Sequence, residues 1–129
     1  MKDEPFLRDS VALLRALTTP HGIRASRSTV ANYSSIFARD AIMAGTAGLL
    51  LGDSVISTGL LRTLEGLRDL QGPQGQIASN FLRRDDGTVQ VSFGTLAPRF
   101  DSATWYLIGV ALACHHGVAQ VGDFRDSVE

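Results

Sequence analysis

A cation and an anion stand side by side where one apolar segment of the sequence begins. Arg39 and Asp40 follow Phe37 and lead directly into a segment that is almost wholly apolar. The helix dipole favours an acid in the first turn, so Asp40 is explained equally well as a first-turn acid, and Arg39 as a surface residue. Charges at the start of a buried helix nevertheless need partners, and the hydroxyl groups of a polyhydroxylated ligand are one such set. Spacing alone leaves both interpretations open.

A second acid has the same setting later in the chain. Asp101 follows a long irregular segment and opens another apolar segment, and Trp105 stands four residues further on. On a helix these two residues share a face, so the indole is able to lie beside the carboxylate. An apolar neighbour disfavours the ionised carboxylate and lets the group act as a general acid near neutral pH. The alternative, which spacing alone favours, is an acid that caps the helix and a tryptophan that belongs to the core.

The remaining candidates for chemistry are weaker. The segment Gly72-Pro73-Gln74-Gly75 lacks the Lys and Ser/Thr of a phosphate-binding loop. His115 and His116 are adjacent, so on a helix they point in different directions and are more typical of a helix C-terminus than of a metal pair. The single cysteine, Cys114, excludes an intramolecular disulfide and a cysteine-cluster metal site. We therefore predict no metal site and no cofactor.

The composition is that of one ordinary globular domain. Of 129 residues, 44% are hydrophobic and 19% are charged. The 12 Lys and Arg against 13 Asp and Glu give a formal net charge of −1. This balance argues against nucleic-acid and acidic-membrane partners, which attract a surplus of cations. The N-terminus has early acids and no long apolar core, and the longest apolar run is too short to span a bilayer, so we expect a cytoplasmic protein.

Apolar residues at helical spacing predict the elements that position these charges. A first helix begins with an acidic cap at Asp3 or Glu4, a second extends over residues 38–51, and a final helix begins at Asp101. The second helix is apolar nearly all round, which is typical of a helix that is buried on most sides. Its first turn contains the Arg-Asp pair.

The second helix and the one that comes after it are predicted to form a tight antiparallel hairpin. Only Gly52 and Asp53 separate them, Gly52 closing the second helix and Asp53 capping the third. Gly45 and Gly48 permit close approach of the neighbouring helix. The apolar face of the third helix consists of Ile56, Leu60, Leu64 and Leu67.

Two long irregular segments separate the helices. Residues 23–35 are rich in Ser, Arg and Asn and are predicted to form a loop, which is long for a small domain. Residues 71–100 form the second segment, in which Asp86-Gly87 is a turn signal and residues 88–93 alternate as in a short strand or hairpin. The predicted fold class is all-α, a single domain over residues 1–129 built of helical hairpins with long inter-helix loops and room for one short β-hairpin.

Several segments, in this order, resemble a known family. Tyr33–Asp40 resembles the aromatic-x-Arg-Asp segment that opens an inner helix in glycosidases built on the (α/α)6 toroid. These include glucoamylase-like enzymes, the amylo-α-1,6-glucosidase part of glycogen debranching enzymes, and neutral/alkaline invertases. The apolar helix, then Leu64–Gln71 leading into Gly75-Gln76-Ile77, and then Phe100–Trp105 are similar to the next segments of that family, in the same order. The likeness covers residues 22–110.

The resemblance implies a carbohydrate-active protein whose helical hairpins form part of an (α/α) toroid. Arg39 and Asp40 would bind sugar hydroxyls. Asp101 would be the general acid that protonates the glycosidic oxygen of a glucoside-type bond. The resemblance also implies that aromatic residues bind the sugar ring, namely Tyr33, Phe37 and Trp105.

The chain is short for this family. Such glycosidases need two carboxyl groups across the scissile bond, and in the family the second comes from a late helix of a much longer chain. The resemblance therefore implies a portion of a larger glycosidase or a truncated, inactive relative. The alternative is a non-catalytic helical module that binds sugar or associates with itself, because helices taken from a ring have exposed apolar sides. The expected partners are a glucose-containing carbohydrate and either a second copy of the chain or the remainder of a larger enzyme.

Overall fold

The computed structural model describes residues 4–95 and 100–128, without the side chains of residues 31 and 32. The elements in these ranges, in chain order, are α1 (Pro5–Leu17), β1 (Thr18–Thr19), β2 (Gly22–Ile23), a 3-10 helix (Ala31–Ser34), β3 (Ile36–Phe37), α2 (Ala38–Leu51), α3 (Ser54–Asp69), β4 (Asn80–Arg83), β5 (Val89–Ser92), α4 (Phe100–His115), a second 3-10 helix (Val121–Asp123) and α5 (Arg125–Val128).

The prediction of an all-α fold is wrong. The described residues form a mixed α/β fold, in which β1 and β2 make one antiparallel sheet and β3, β4 and β5 make a second in that order. Ile36 in β3 lies opposite Phe81 in β4, although 45 residues (81 − 36) separate them. Strands of two to four residues leave little alternation in the sequence, and their pairing is a long-range contact that local periodicity does not report. The strand predicted within residues 88–93 is present as β5.

Helix α2 has the predicted bounds but not the predicted burial. Gly52 follows it with a left-handed backbone at φ 66°, and its N–H donates to carbonyl groups of the last turn, which ends the helix. One side of α2 is buried, yet Met43 is 54% exposed and Leu50 74% exposed. The helix therefore packs on one side only, and the expectation that it is buried on most sides is wrong.

Close backbone approach joins α2 to α3, as predicted. A Cβ on Gly45 would lie 2.6 Å from Cβ of Leu60, and a Cβ on Gly48 would lie 2.5 Å from Cγ2 of Ile56. The whole predicted face of α3 is completely buried. The hairpin of α2 and α3 is thus the centre of the core.

An adjacent side of α3 packs against both sheets. A Cβ on Gly59 would lie 2.7 Å from Cγ2 of Thr18, and a Cβ on Gly66 would lie 2.5 Å from the ring of Phe81. Because α3 also contacts α4, it lies between the helical and the sheet parts of the domain.

Helix α1 lies at the periphery. Pro5 is in its first turn as predicted, but the side chain of Glu4, its N-cap residue, makes no capping hydrogen bond. The alternative cap, Asp3, lies outside the described residues. Leu17 is the buried residue of α1, whereas Phe6 is 80% exposed.

Candidate functional site

A cleft of about 560 Å³ opens where α2 and α4 begin. Its wall also includes residues of the 3-10 helix at 31–34, of β4 and of β5. Five of the residues predicted from the sequence line it, namely Tyr33, Phe37, Arg39, Asp40 and Asp101. We refer to it as the Arg39 cleft.

A strand-to-helix junction fixes one wall of the Arg39 cleft. Phe37 is both the last residue of β3 and the N-cap residue of α2, with an extended backbone. It lies opposite Asn80 in β4, and the next N–H, of Ala38, donates to the carbonyl of Ser79 at 3.0 Å. The sheet therefore sets the position of the first turn of α2, which contains Arg39 and Asp40.

Arg39 connects the two acids across the cleft. Its Nη1 donates to Oδ2 of Asp101 at 3.1 Å, and its Nε lies 3.8 Å from Oδ1 of Asp40. The side chains of Arg39, Asp40 and Asp101 are 53%, 50% and 40% exposed. Ion pairs this exposed contribute only about 0–1 kcal/mol to stability. These ion pairs therefore add little to the packing of α2 against α4 and leave the three side chains accessible from the cleft.

The exposure of these charges differs from the sequence interpretation. We expected Arg39 and Asp40 at the start of a helix about to be buried, where a ligand would have to supply their partners. The structure instead leaves them half-exposed and paired within the protein. A ligand at this site would compete with water and with existing ion pairs, not relieve unpaired charges.

The pair of Asp101 and Trp105 is not reproduced in the cleft. Asp101 lies in the first turn of α4 and lines the cleft, where it accepts a hydrogen bond from Arg39. Trp105 is half-buried, packs against the hydrophobic core and is not among the described residues that line the cleft. Four-residue spacing places two residues along one side of a helix, but it does not determine which of them reaches a neighbouring cleft.

Sequence reasoning missed the polar residues that the sheet contributes. Ser79 Oγ donates to the carbonyl of Ser92 at 2.9 Å, and Asn80 Nδ2 donates to Ser79 Oγ at 3.2 Å. All three residues line the Arg39 cleft, as does Ser102 of α4. Ser79 and Asn80 lie in a segment predicted to be irregular and Ser92 in the predicted strand, and no local pattern marks any of them as a neighbour of the first turn of α2.

The described residues offer no metal centre. Within residues 4–95 and 100–128, no three His, Cys, Asp or Glu side chains are placed to hold a metal ion together. None of the helices in these ranges combines the length and apolarity needed to cross a membrane.

Comparison of the chain with protein-family models, with curated proteins and with solved structures gave no match. The side chains of the Arg39 cleft combine a guanidinium, two carboxylates, hydroxyl groups and a carboxamide with two aromatic rings.

Proposed function

We propose that the Arg39 cleft binds a neutral, polyhydroxylated ligand, with a glucose-containing carbohydrate as the chemical class. The observation that carries the proposal is the arrangement of Arg39 with Asp40 and Asp101 in one cleft. A guanidinium only donates hydrogen bonds and an ionised carboxylate only accepts them, whereas each sugar hydroxyl does both. Neighbouring hydroxyls on one ring therefore match the alternation of acceptor, donor and acceptor in this cluster.

The charge of the cluster supports a neutral ligand over an anionic one. One cation and two anions sum to −1, so the field of the cluster repels anions. Half-exposed charges attract a neutral ligand through hydrogen bonds rather than through net charge.

The size and the aromatic content of the cleft agree with a small sugar. Its volume of about 560 Å³ falls within the usual range of roughly 300–1,000 Å³ for small-molecule sites. Phe37 and Tyr33 line the cleft, and Tyr33 is 63% exposed. Aromatic rings with a polar tip suit ligands that have one apolar face and a polar edge, as a pyranose ring has.

A second candidate function is hydrolysis of a glucoside-type bond, because two carboxyl groups, of Asp40 and Asp101, line the same cleft. Glycosidases use one carboxyl group as an acid and a second as base or nucleophile. Binding is the first proposal because the contacts among Arg39, Asp40 and Asp101 carry it directly, whereas hydrolysis further requires the two carboxyl groups to stand on opposite sides of the scissile bond.

Calorimetric titration with glucose, maltose, sucrose and the basic sugar analogue deoxynojirimycin tests the proposal. We expect at least one of these to bind the wild-type chain, and Arg39→Gln or Asp101→Asn to weaken it by about 10–100-fold, which corresponds to the loss of a charged hydrogen bond. Arg62→Gln is the matched control, because Arg62 forms a similarly exposed ion pair with Glu65 outside this cleft.

Two outcomes would overturn the proposal. The first is a wild-type chain that binds none of the four compounds. The second is binding that Arg62→Gln weakens as much as Arg39→Gln does. Glucose release from maltose or sucrose by the wild-type chain, abolished in Asp101→Asn, would assign hydrolysis instead. Circular dichroism of each variant verifies that the fold is retained.

A further inference from the structure

A second cleft, of about 340 Å³, contains two arginines. Arg24 follows β2 and Arg83 ends β4, and both line this cleft together with His21, Thr19 and Thr29. We refer to it as the two-arginine cleft. Neither arginine lines the Arg39 cleft, so the two sites have different polar side chains.

Both guanidinium groups contain a buried nitrogen without a partner. The Nε atoms of Arg24 and Arg83 are buried and make no hydrogen bond within the described part of the chain. Nη2 of Arg24 donates to the carbonyl of Ser28 at 3.0 Å. Nη2 of Arg83 lies 3.8 Å from Oδ2 of Asp69, which is too long for a hydrogen bond. Buried N–H groups are nearly always satisfied in folded proteins, so two unsatisfied ones on side chains that line the same cleft require an explanation.

An oxyanion is the ligand that satisfies two guanidinium groups at once. A guanidinium presents parallel N–H groups, through Nε and one Nη, that match two oxygens of a phosphate or carboxylate. A carboxylate has two oxygens and a phosphate group has more, so a phosphate matches the paired N–H groups of two arginines more fully. Thr19 and Thr29 add hydroxyl groups to the same wall.

The charge of the two-arginine cleft has the sign that an anion requires. Two arginines and one acid, Asp85, line it and sum to +1. The Arg39 cluster sums to −1, so an anionic ligand is directed to the two-arginine cleft and away from the other site. Asp69 is the competing partner of Arg83, and at 3.8 Å it is a weak competitor.

We propose that the two-arginine cleft binds a phosphate group, either free or as the monoester of a small molecule, with Arg24 and Arg83 as its principal ligands. Because both Nε atoms are buried, binding through each Nε–Nη edge requires the two side chains to turn toward the cleft. This proposal is independent of sugar binding in the Arg39 cleft.

Titration of the full chain with inorganic phosphate and with glucose 6-phosphate, at low ionic strength and neutral pH, tests the proposal. Calorimetry is expected to show one site, and Arg24→Gln and Arg83→Gln are each expected to weaken it by at least about tenfold. Arg84→Gln is the matched control, because Arg84 is adjacent in sequence, exposed and bonded to Gln90 instead of lining the cleft. Arg39→Gln is expected to leave phosphate affinity unchanged.

The two titrants distinguish the source of the phosphate. A higher affinity for glucose 6-phosphate than for inorganic phosphate, retained in Arg39→Gln, identifies an esterified phosphate as the ligand. An equal or lower affinity identifies the free anion. Both results support the site.

Three outcomes would overturn the proposal. One is the absence of binding up to about 10 mM phosphate, where even a site of millimolar Kd is occupied. Another is binding that both arginine variants retain, and the third is an Arg84→Gln variant that weakens binding as much as they do. If a glutamine variant fails to fold, Arg83→Lys replaces it, since lysine keeps the charge but not the two parallel N–H groups. Thermal unfolding with and without phosphate then gives a second readout, because a ligand that binds the folded state raises Tm.

Discussion

Two contacts of the Asp53 side chain hold the start of α3, and two different substitutions of Asp53 distinguish their contributions to stability. Oδ1 of Asp53 accepts hydrogen bonds from the backbone N–H groups of Val55 and Ile56, each at 3.1 Å. Oδ2 accepts from Nε of Arg15 at 2.7 Å and so fastens α1 to the hairpin. Asp53→Ala removes both contacts, whereas Asp53→Ser keeps an oxygen that caps the helix and removes the ion pair.

The two contacts are expected to differ in size. Loss of an N-cap side chain to alanine costs about 0.5–2 kcal/mol. The ion pair contributes about 0–1 kcal/mol, because the side chain of Arg15 is 56% exposed. We therefore expect the free energy of unfolding to fall by about 0.5–3 kcal/mol in Asp53→Ala and by about 0–1 kcal/mol in Asp53→Ser. For a chain of this length, each kcal/mol lowers Tm by roughly 3–5 °C.

The contribution of Asp53 also depends on pH. Burial alone would raise the pKa of the Asp53 carboxyl, but the N–H groups of Ile56 and Val55 and the guanidinium of Arg15 together hold its pKa below the ordinary value of 3.8. The folded chain therefore binds this proton less readily than the unfolded chain does. The stabilisation is complete above the unfolded-state pKa and is lost as the pH falls from there through the lower folded-state pKa.

Urea unfolding followed by circular dichroism at neutral pH and near pH 3 measures these differences. Arg15→Met is expected to match Asp53→Ser at neutral pH, and the double variant is expected to lose no more than either single variant. Equal losses in Asp53→Ala and Asp53→Ser would refute the capping role. Losses of Asp53→Ser and Arg15→Met that add fully in the double variant would refute the ion pair.

Four further predictions concern packing, the C-terminal segment, the dependence of stability on pH, and assembly. Gly48→Ala is expected to lower stability in urea unfolding, because overpacking against Ile56 costs about 1–3 kcal/mol and exceeds the helix-propensity gain of about 0.8–1 kcal/mol; a higher urea midpoint would contradict this. Tyr106→Phe removes the 2.7 Å contact with Ser127 and should speed amide exchange in α5; unchanged exchange would argue against that tether. Burial raises the pKa of Tyr106, so wild-type stability should also fall above about pH 10, where the unfolded chain loses this proton first. Self-association, expected from exposed apolar side chains such as Leu50, is tested by size-exclusion chromatography with light scattering, where a monomer at micromolar concentration would count against it.

The helices were predictable because their signals are local. Gly52 ends α2 by its left-handed backbone, and Asp53 caps α3 through N–H groups two and three residues away. The buried face of α3 follows a helical period that one short window of sequence contains. The strands lacked such signals, since the pairing of Ile36 with Phe81 depends on the whole chain having folded.

Only the part of the Arg39 cleft that the helix starts contribute was predictable from the sequence. Arg39 and Asp101 each stand in the first turn of an apolar helix, and helix starts are recognisable in a sequence. Ser79 and Ser92 were not recognisable, because the register between β4 and β5 places them beside that helix start. Trp105 packs against the core and is not among the described residues that line the cleft, since helical spacing gives a shared face but not the direction of that face relative to its neighbours.

Residues 24–36 contribute side chains to the walls of both the Arg39 cleft and the two-arginine cleft. Ala25 and Tyr33 line the Arg39 cleft, whereas Arg24 and Thr29 line the two-arginine cleft. A ligand that restrains this segment from one side reduces its conformational freedom on the other, so a second ligand loses less entropy on binding. Glucose affinity measured with and without saturating phosphate reports this coupling, and identical affinities would show that the segment does not couple the two clefts. By thermodynamic linkage, any change that phosphate causes in sugar affinity equals the change that sugar causes in phosphate affinity, so either titration measures the same coupling through this one loop.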